Sequence, residues 1–218
     1  KMPRMGTINL HASLLPQYRG AAPINWAVIN GDKETGVTTF FINQVIDKGD
    51  TLLQEKVSIS ENDNAGTVHD KLMTIGSNLL VKTIDAIADG TVQRNNQENI
   101  PADLLKPAPK IFREDCHINW NKSAYQVHNF IRGLSPYPAA WTELGNKEDK
   151  KLVMKIFSSD IKQDITLSPG DIFIEDNIHI YIGCTDAVIE VKELQLEGKK
   201  AMPVADFLRG FRLKEEGW

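Results

Sequence analysis

The chain has 218 residues, enough for one large domain or two modest ones, and its 41% hydrophobic content suits an ordinary globular core. A net charge of −4 argues against wholesale coating of nucleic acid but leaves room for a local basic patch. No apolar run reaches the length of a membrane span, no signal peptide is recognised, and Cys116 and Cys184 match no ligand spacing, so a cytoplasmic protein with no metal site and no membrane partner is expected.

The first half reads as α/β. Thr7 to Leu10 forms a buried strand that needs neighbours on both sides, and with Lys1 in the first position the numbering is expected to start inside a longer protein. A helix follows from Pro23, where a first turn tolerates proline, to a stop at Gly31. "TGVTTFFI" (Thr35 to Ile42) and "DTLLQEKVSI" (Asp50 to Ile59) are rich in β-branched and aromatic residues and predict strands, separated by a turn containing Asp47 and Gly49. Next comes a long amphipathic helix, with Val68, Leu72, Ile75, Leu79, Ile84 and Ile87 near one face. Asn64 caps its start and Gly90 ends it. Pro101, Pro107 and Pro109 then break the pattern. The expected organisation is a partial catalytic domain over 1–100, a linker over 101–113 and a second domain over 114–218.

That second domain opens with a short helix carrying a Ser123-to-Gln126 capping box and a Gly133 stop. "KLVMKIFSSDI", "GDIFIED", "NIHIYIGC" and "AVIEVKELQLEG" are short strands at roughly ten-residue intervals, the spacing of a small β-barrel or sandwich. "PVADFLRGF" reads as a closing helix.

Asn9 and His11 are two residues apart on the first strand, so both side chains face the same way. Burying an amide and an imidazole together costs free energy unless each finds a partner. On that ground alone they could simply cap the strand end and bond to loop backbone. Their neighbours carry more information. Ser13 to Pro16, then Arg19 and Gly20, form a Pro- and Gly-containing loop at the carboxyl end of a strand, where open α/β sheets bind ligands. Asn, His and Asp47 converging on one crevice could serve a tetrahedral intermediate, with N–H groups on the oxyanion and a carboxylate carrying a proton or orienting water. Nothing marks Ser13 as an activated nucleophile, so direct transfer of a carbonyl group to an amine fits better than a covalent route.

The run "NLHASLLPQYRGAAPINWA", followed by "TGVTTFF" and "DKG", resembles the 10-formyltetrahydrofolate-dependent formyltransferases. In the second half, "PAPKI", "INWNKSAYQVHNFIRGLSPYPAAWTEL" and "GKKAM" resemble the carboxyl-terminal domain of the branch that formylates initiator methionyl-tRNA, a β-barrel of oligonucleotide-binding type. The resemblance covers nearly the whole chain and implies roles for individual residues. Asn9 and His11 would polarise the formyl carbonyl and hold the oxyanion. Asp47 would orient His11 and shuttle the proton from the attacking amine. Ser13, Leu14, Leu15 and Pro16 would form the loop against tetrahydrofolate. The donor would be 10-formyltetrahydrofolate, with no metal, and the full-length enzyme is expected to be monomeric. Almost all of the nucleotide-binding-type half with which these enzymes begin is missing here. The fold class implied is thus a truncated α/β (Rossmann-like) formyltransferase domain followed by the small barrel.

Transfer RNA should leave an electrostatic trace. Lys199, Lys200, Arg209, Arg212 and Lys214 stand against Asp206 alone, and Lys106, Lys110 and Arg113 cluster around the linker. Arg19, Lys110, Lys199, Lys200, Arg209 and Arg212 are the expected contacts, directed at phosphates rather than bases. Two rival readings stand beside this one. The first is a sister enzyme that formylates an amino sugar nucleotide or hydrolyses the folate donor. The second is a non-catalytic RNA-binding module.

Overall fold

The structure is a computed structural model that describes residues 3–97, 101–145 and 151–210. The chain divides into two compact units. One comprises the residues up to Val28 with Asp32–Ile111, the other Ile29–Gly31 with Phe112 onward.

The first unit is built on an antiparallel sheet with strand order β1 (Ile8–His11), β3 (Glu34–Phe41), β4 (Thr51–Ser58). β3 is central, and six consecutive residues, Thr35 to Phe40, are buried, which explains its unbroken apolar and β-branched run. β4 alternates from Leu53 onward because one of its faces is wet. Among the described residues β1 pairs only with β3, in the register Ile8↔Phe41 to His11↔Thr38. The expectation of neighbours on both sides of this strand is therefore not met within the described residues.

The expected helix from Pro23 is α1 (Pro23–Ile29), and helix α2 (Ala65–Ala88) packs Val68, Leu72, Leu79 and Thr83 inward. Asn64 caps it by accepting from Thr67 N, with Thr67 reciprocating, and Gly90 (φ +68) follows the Asp89 C-cap. Ile84, expected on the buried face, is 51% exposed. It lies sixteen residues after Val68, roughly four and a half turns, and so points the other way. Thr83 takes the inward place, its hydroxyl 2.9 Å from that of Thr39 and donating to Leu79 O. Just before α2, Asp63 accepts from Ser60 N and Oγ, from Thr67 Oγ1 and from Lys71 Nζ. Burial opposes ionisation of Asp63, but these donors outweigh it and hold the carboxyl at about 2.

Two short strands link distant segments of this unit. β2 (Arg19–Gly20) pairs in parallel with β5 (Pro107–Ala108), in the stretch expected to be a linker. Ala108 is fully buried, and a Cβ on Gly20 (φ +125) would meet Ala108 O at 2.3 Å. Pro107 fits because a two-residue edge pairing leaves its missing N–H unneeded. The β3–β4 connection folds back tightly on itself. Phe41 N donates to Asp50 O, Asp47 takes a left-handed φ of +54, and a Cβ on Gly49 would lie 1.5 Å from Phe41 O.

The second unit carries a six-stranded antiparallel sheet. Its path runs β6 (Ala140–Gly145), β7 (Lys151–Lys162), β10 (Val188–Leu196), β9 (His179–Gly183), β8 (Ile172–Glu175), with β11 (Met202–Pro203) also on β10. β6 was not expected, because Pro136 and Pro138 immediately precede it and mask its strand pattern. Helix α3 (Ala124–Leu134) has the expected Ser123–Gln126 capping box but runs past Gly133. It stops instead at Ser135, held extended (ψ 139) by the following Pro136. α4 (Val204–Gly210) matches the expected closing helix.

Two outcomes follow. The folded pKa of Asp63 lies below its unfolded value of ~3.9, so its contribution is fully present above about pH 4 and is lost as pH falls toward 2. Thermal unfolding should show Asp63→Asn less stable at pH 7 by ~2 kcal/mol, with the deficit vanishing near pH 2; an equal deficit at both pH values would contradict this. Gly49→Ala should cost at least ~2 kcal/mol by denaturant titration, because its new methyl group meets backbone rather than a movable side chain.

Candidate active site

The Ser13-to-Pro16 loop is held from β3 and β4. Thr38 Oγ1 donates to Ser13 O (2.6 Å) and accepts from Leu15 N (3.0 Å). Gln54 Nε2 donates to both Leu15 O and Thr38 Oγ1. Ser13 is fully buried and its hydroxyl donates to Gln17 O at 2.6 Å, so it braces the loop from within. Leu15 is buried, while Leu14 and Pro16 are half-buried. Leu14 borders a cavity of about 340 Å³ whose wall also includes Gln17, Tyr18, Asp32 and Lys106.

This braced loop returns Tyr18 to the end of β1, where His11 Nε2 lies 2.8 Å from Tyr18 O. A carbonyl only accepts, so Nε2 carries the hydrogen and Nδ1 is the ring nitrogen left for other work. Nδ1 faces Asp47 Oδ2 at 3.9 Å, with the two side chains 8% and 12% exposed. That separation exceeds a hydrogen bond, so the ring is oriented by the Tyr18 carbonyl rather than by Asp47. Asn9, expected beside His11, is exposed on the same strand.

Asp47 has its own supports. Gly20 N donates to its Oδ2 at 3.0 Å, and Gln97 Nε2 donates to its backbone carbonyl at 3.1 Å. Arg19, expected to contact nucleic acid, instead directs Nε and Nη2 to Gln97 Oε1. Burial lowers the pKa of Arg19 despite the opposing charge of Asp47, and the guanidinium remains a cation.

The remaining expected contacts lie on the surface. Lys110, Lys199 and Lys200 are exposed, and Arg209 is exposed and paired with Asp206 on α4. Arg212 lies outside the described residues. No group of His, Cys, Asp and Glu suited to a metal ion occurs among the described residues, and no described helix is long and apolar enough to cross a membrane. Tyr18, Thr38, Gln54 and Gln97 were missed by sequence reasoning. The first works through its backbone, and nothing in the spacing of the other three marks them as partners of the loop.

The formyl transferase model matches residues 1–84, and the model for the formyl transferase C-terminal domain matches residues 110–212. The methionyl-tRNA formyltransferase of Bacteroides fragilis is 52% identical over 98% of this chain and 67% of its own length. That of Azobacteroides pseudotrichonymphae is 54% identical over 96% of this chain and 66% of its own. The chain thus spans about two thirds of the curated relatives it matches. Among solved structures, an N-formyltransferase from Helicobacter canadensis, in complex with folinic acid and dTDP-3-aminofucose, superposes with a TM-score of 0.64 at 25% identity. That match covers 84% of this chain and 65% of that one. HypX from Aquifex aeolicus with tetrahydrofolic acid shares the fold, with a TM-score of 0.68 at 17% identity, over 93% of this chain and 34% of that one. With half its residues identical to theirs over nearly its entire length, the chain belongs to the methionyl-tRNA formyltransferase family.

Proposed function

We propose that this protein transfers the formyl group of 10-formyltetrahydrofolate to the amino group of initiator methionyl-tRNA. The observation that carries the reading is the single free ring nitrogen of His11, facing Asp47 at the end of the strand that bears Asn9. The folate donor, when bound, supplies an electrophilic formyl carbonyl. As the amine attacks, its nitrogen must lose a proton and the carbonyl oxygen gains charge. Nδ1 of a neutral His11 can accept that proton beside the Asp47 carboxylate; as the tetrahedral intermediate collapses, the bond from the formyl carbon to N10 of the folate breaks and the imidazolium returns the proton to N10, so that tetrahydrofolate leaves neutral. A ring acting as base cannot at the same time donate from that nitrogen, so the Asn9 amide is the donor to the oxyanion. Ser13 is sealed inside its loop, which favours direct attack over an acyl-enzyme.

Leu14 and Pro16, the less buried members of their loop, are the folate-facing pair in this reading, with Ser13 and Leu15 shaping the loop behind them. The second unit would be the wall of a small barrel of oligonucleotide-binding type. A twelve-residue β7 and the register break of β10 between Val191 and Leu194 support that reading, because a break in register bends a strand as a barrel wall would require. Lys110, Lys199, Lys200 and Arg209 would track the phosphates of the transfer RNA, with Arg212 beyond the described residues. Arg19 is left out of that set because its guanidinium serves Gln97. A monomer acting in the cytoplasm is part of the same proposal.

Formyl transfer to methionyl-tRNA by the complete protein tests this. His11→Ala should lower kcat by ~10²–10⁴-fold. Replacing both Lys199 and Lys200 with Ala should raise KM for the transfer RNA and flatten its salt dependence, leaving kcat nearly unchanged. Formylation of an amino sugar nucleotide, with methionyl-tRNA untouched, would overturn the assignment.

A further inference from the structure

We propose that Gln97 and Arg19 are positioning residues that hold the Asp47 carboxylate against His11. This rests on the role given to Asp47 in formyl transfer. Gln97 is 7% exposed and lies in the stretch after α2, fifty residues from Asp47. Its Nε2 donates to two carbonyls of the β3–β4 connection, Asp47 O at 3.1 Å and Gly49 O at 2.6 Å. Its Oε1 accepts from Arg19 Nε and Nη2 at 3.3 and 2.9 Å, and Nη2 also reaches Gln97 O at 3.4 Å. The amide orientation follows from chemistry: a guanidinium only donates and a carbonyl only accepts, so a flipped Gln97 would lose all four side-chain contacts.

These bonds close a ring. Arg19 grips Gln97, Gln97 grips the backbone of Asp47, and Gly20, next to Arg19, donates to the Asp47 side chain. Gln97 is itself fixed in place. Two residues before it, Asn95 exchanges both backbone hydrogen bonds with Thr51, at the foot of β4, each 2.9 Å. The ring matters because Asp47 sits at φ +54, a conformation a non-glycine residue keeps only where its surroundings over-determine it. The His11–Asp47 separation of 3.9 Å includes no direct hydrogen bond, so nothing in the pair itself holds the carboxylate in place.

A purely structural glutamine and a positioning one differ in how their losses combine. In formyl transfer by the complete protein, Gln97→Ala should lower kcat by ~10²-fold, with KM for both substrates within about twofold. Gln97→Glu keeps an acceptor for Arg19 but offers no donor to the two carbonyls, so it should be as slow. In an Asp47→Asn background, Gln97→Ala should cost nothing further in kcat. Additive losses, or full activity in Gln97→Glu, would overturn the proposal. Hydrogen exchange on the chain needs no assay: amides from Asn43 to Asp50 should exchange faster in Gln97→Ala while β1 and α2 keep their protection. Unchanged exchange would also overturn it. If the unmodified protein formylates no methionyl-tRNA, the functional reading falls and the exchange result alone decides whether the clamp exists.

Discussion

An ionised carboxylate beside an imidazole, both nearly out of water, is the constraint around which the first unit is built. Removing Asp47 from solvent costs free energy that only donors can offset, and few donors lie near the tip of a β-hairpin. The chain brings them from far away in sequence: the Gly20 N–H to the carboxylate and the Gln97 amide to the carbonyl of the same residue. Each bond needs a particular residue type. Gly20 must approach Ala108 O too closely for a side chain, and Gly49 must lie against Phe41 O. The Arg-Gly and Asp-x-Gly pairs are therefore two halves of one contact.

The two ring nitrogens of His11 have different surroundings. The Tyr18 carbonyl fixes one of them, and it does so because the preceding loop is pinned through Thr38 and Gln54. A buried Thr38 hydroxyl that donates once and accepts twice, bonded to Ser13 and Leu15, sets the position of the Tyr18 carbonyl oxygen three residues past Leu15. Packing in the sheet thus decides which nitrogen faces Asp47, the one that meets the substrate in the proposed reaction. Asp47 lies 3.9 Å from the ring with no direct bond to it, so in the proposed reaction a proton reaching that nitrogen displaces no hydrogen bond between the two.

How much of this the sequence disclosed differs from residue to residue. His11 and Asp47 stand out because a polar residue on a buried strand and an Asp-x-Gly turn break local pattern, and helix caps such as Asn64 and Ser123 follow rules that span only three residues. Gln97 gave no signal: within "RNNQEN" one amide looks like another, and only the folded chain shows which is buried. Arg19 reads as a contact for transfer RNA for the same reason, since its Gln97 partner lies seventy-eight residues away. Ile84 misled by being apolar on a helix with a buried stripe, although sixteen residues of regular helix put it on the far side from Val68. The short β5 strand was hidden by its proline, which rules out a central strand but not an edge pairing.

The division of labour on His11 can be measured directly. Nitrogen-15 NMR of the histidine rings, at a pH where His11 is neutral, reports which nitrogen holds the hydrogen. A hydrogen on Nε2, with Nδ1 bare and facing Asp47, is the expected result, and it leaves Nδ1 to take the proton of the attacking amine. A hydrogen on Nδ1 would mean that the Tyr18 carbonyl does not set the ring and that Asp47 orients it instead, which would contradict the base role given to His11.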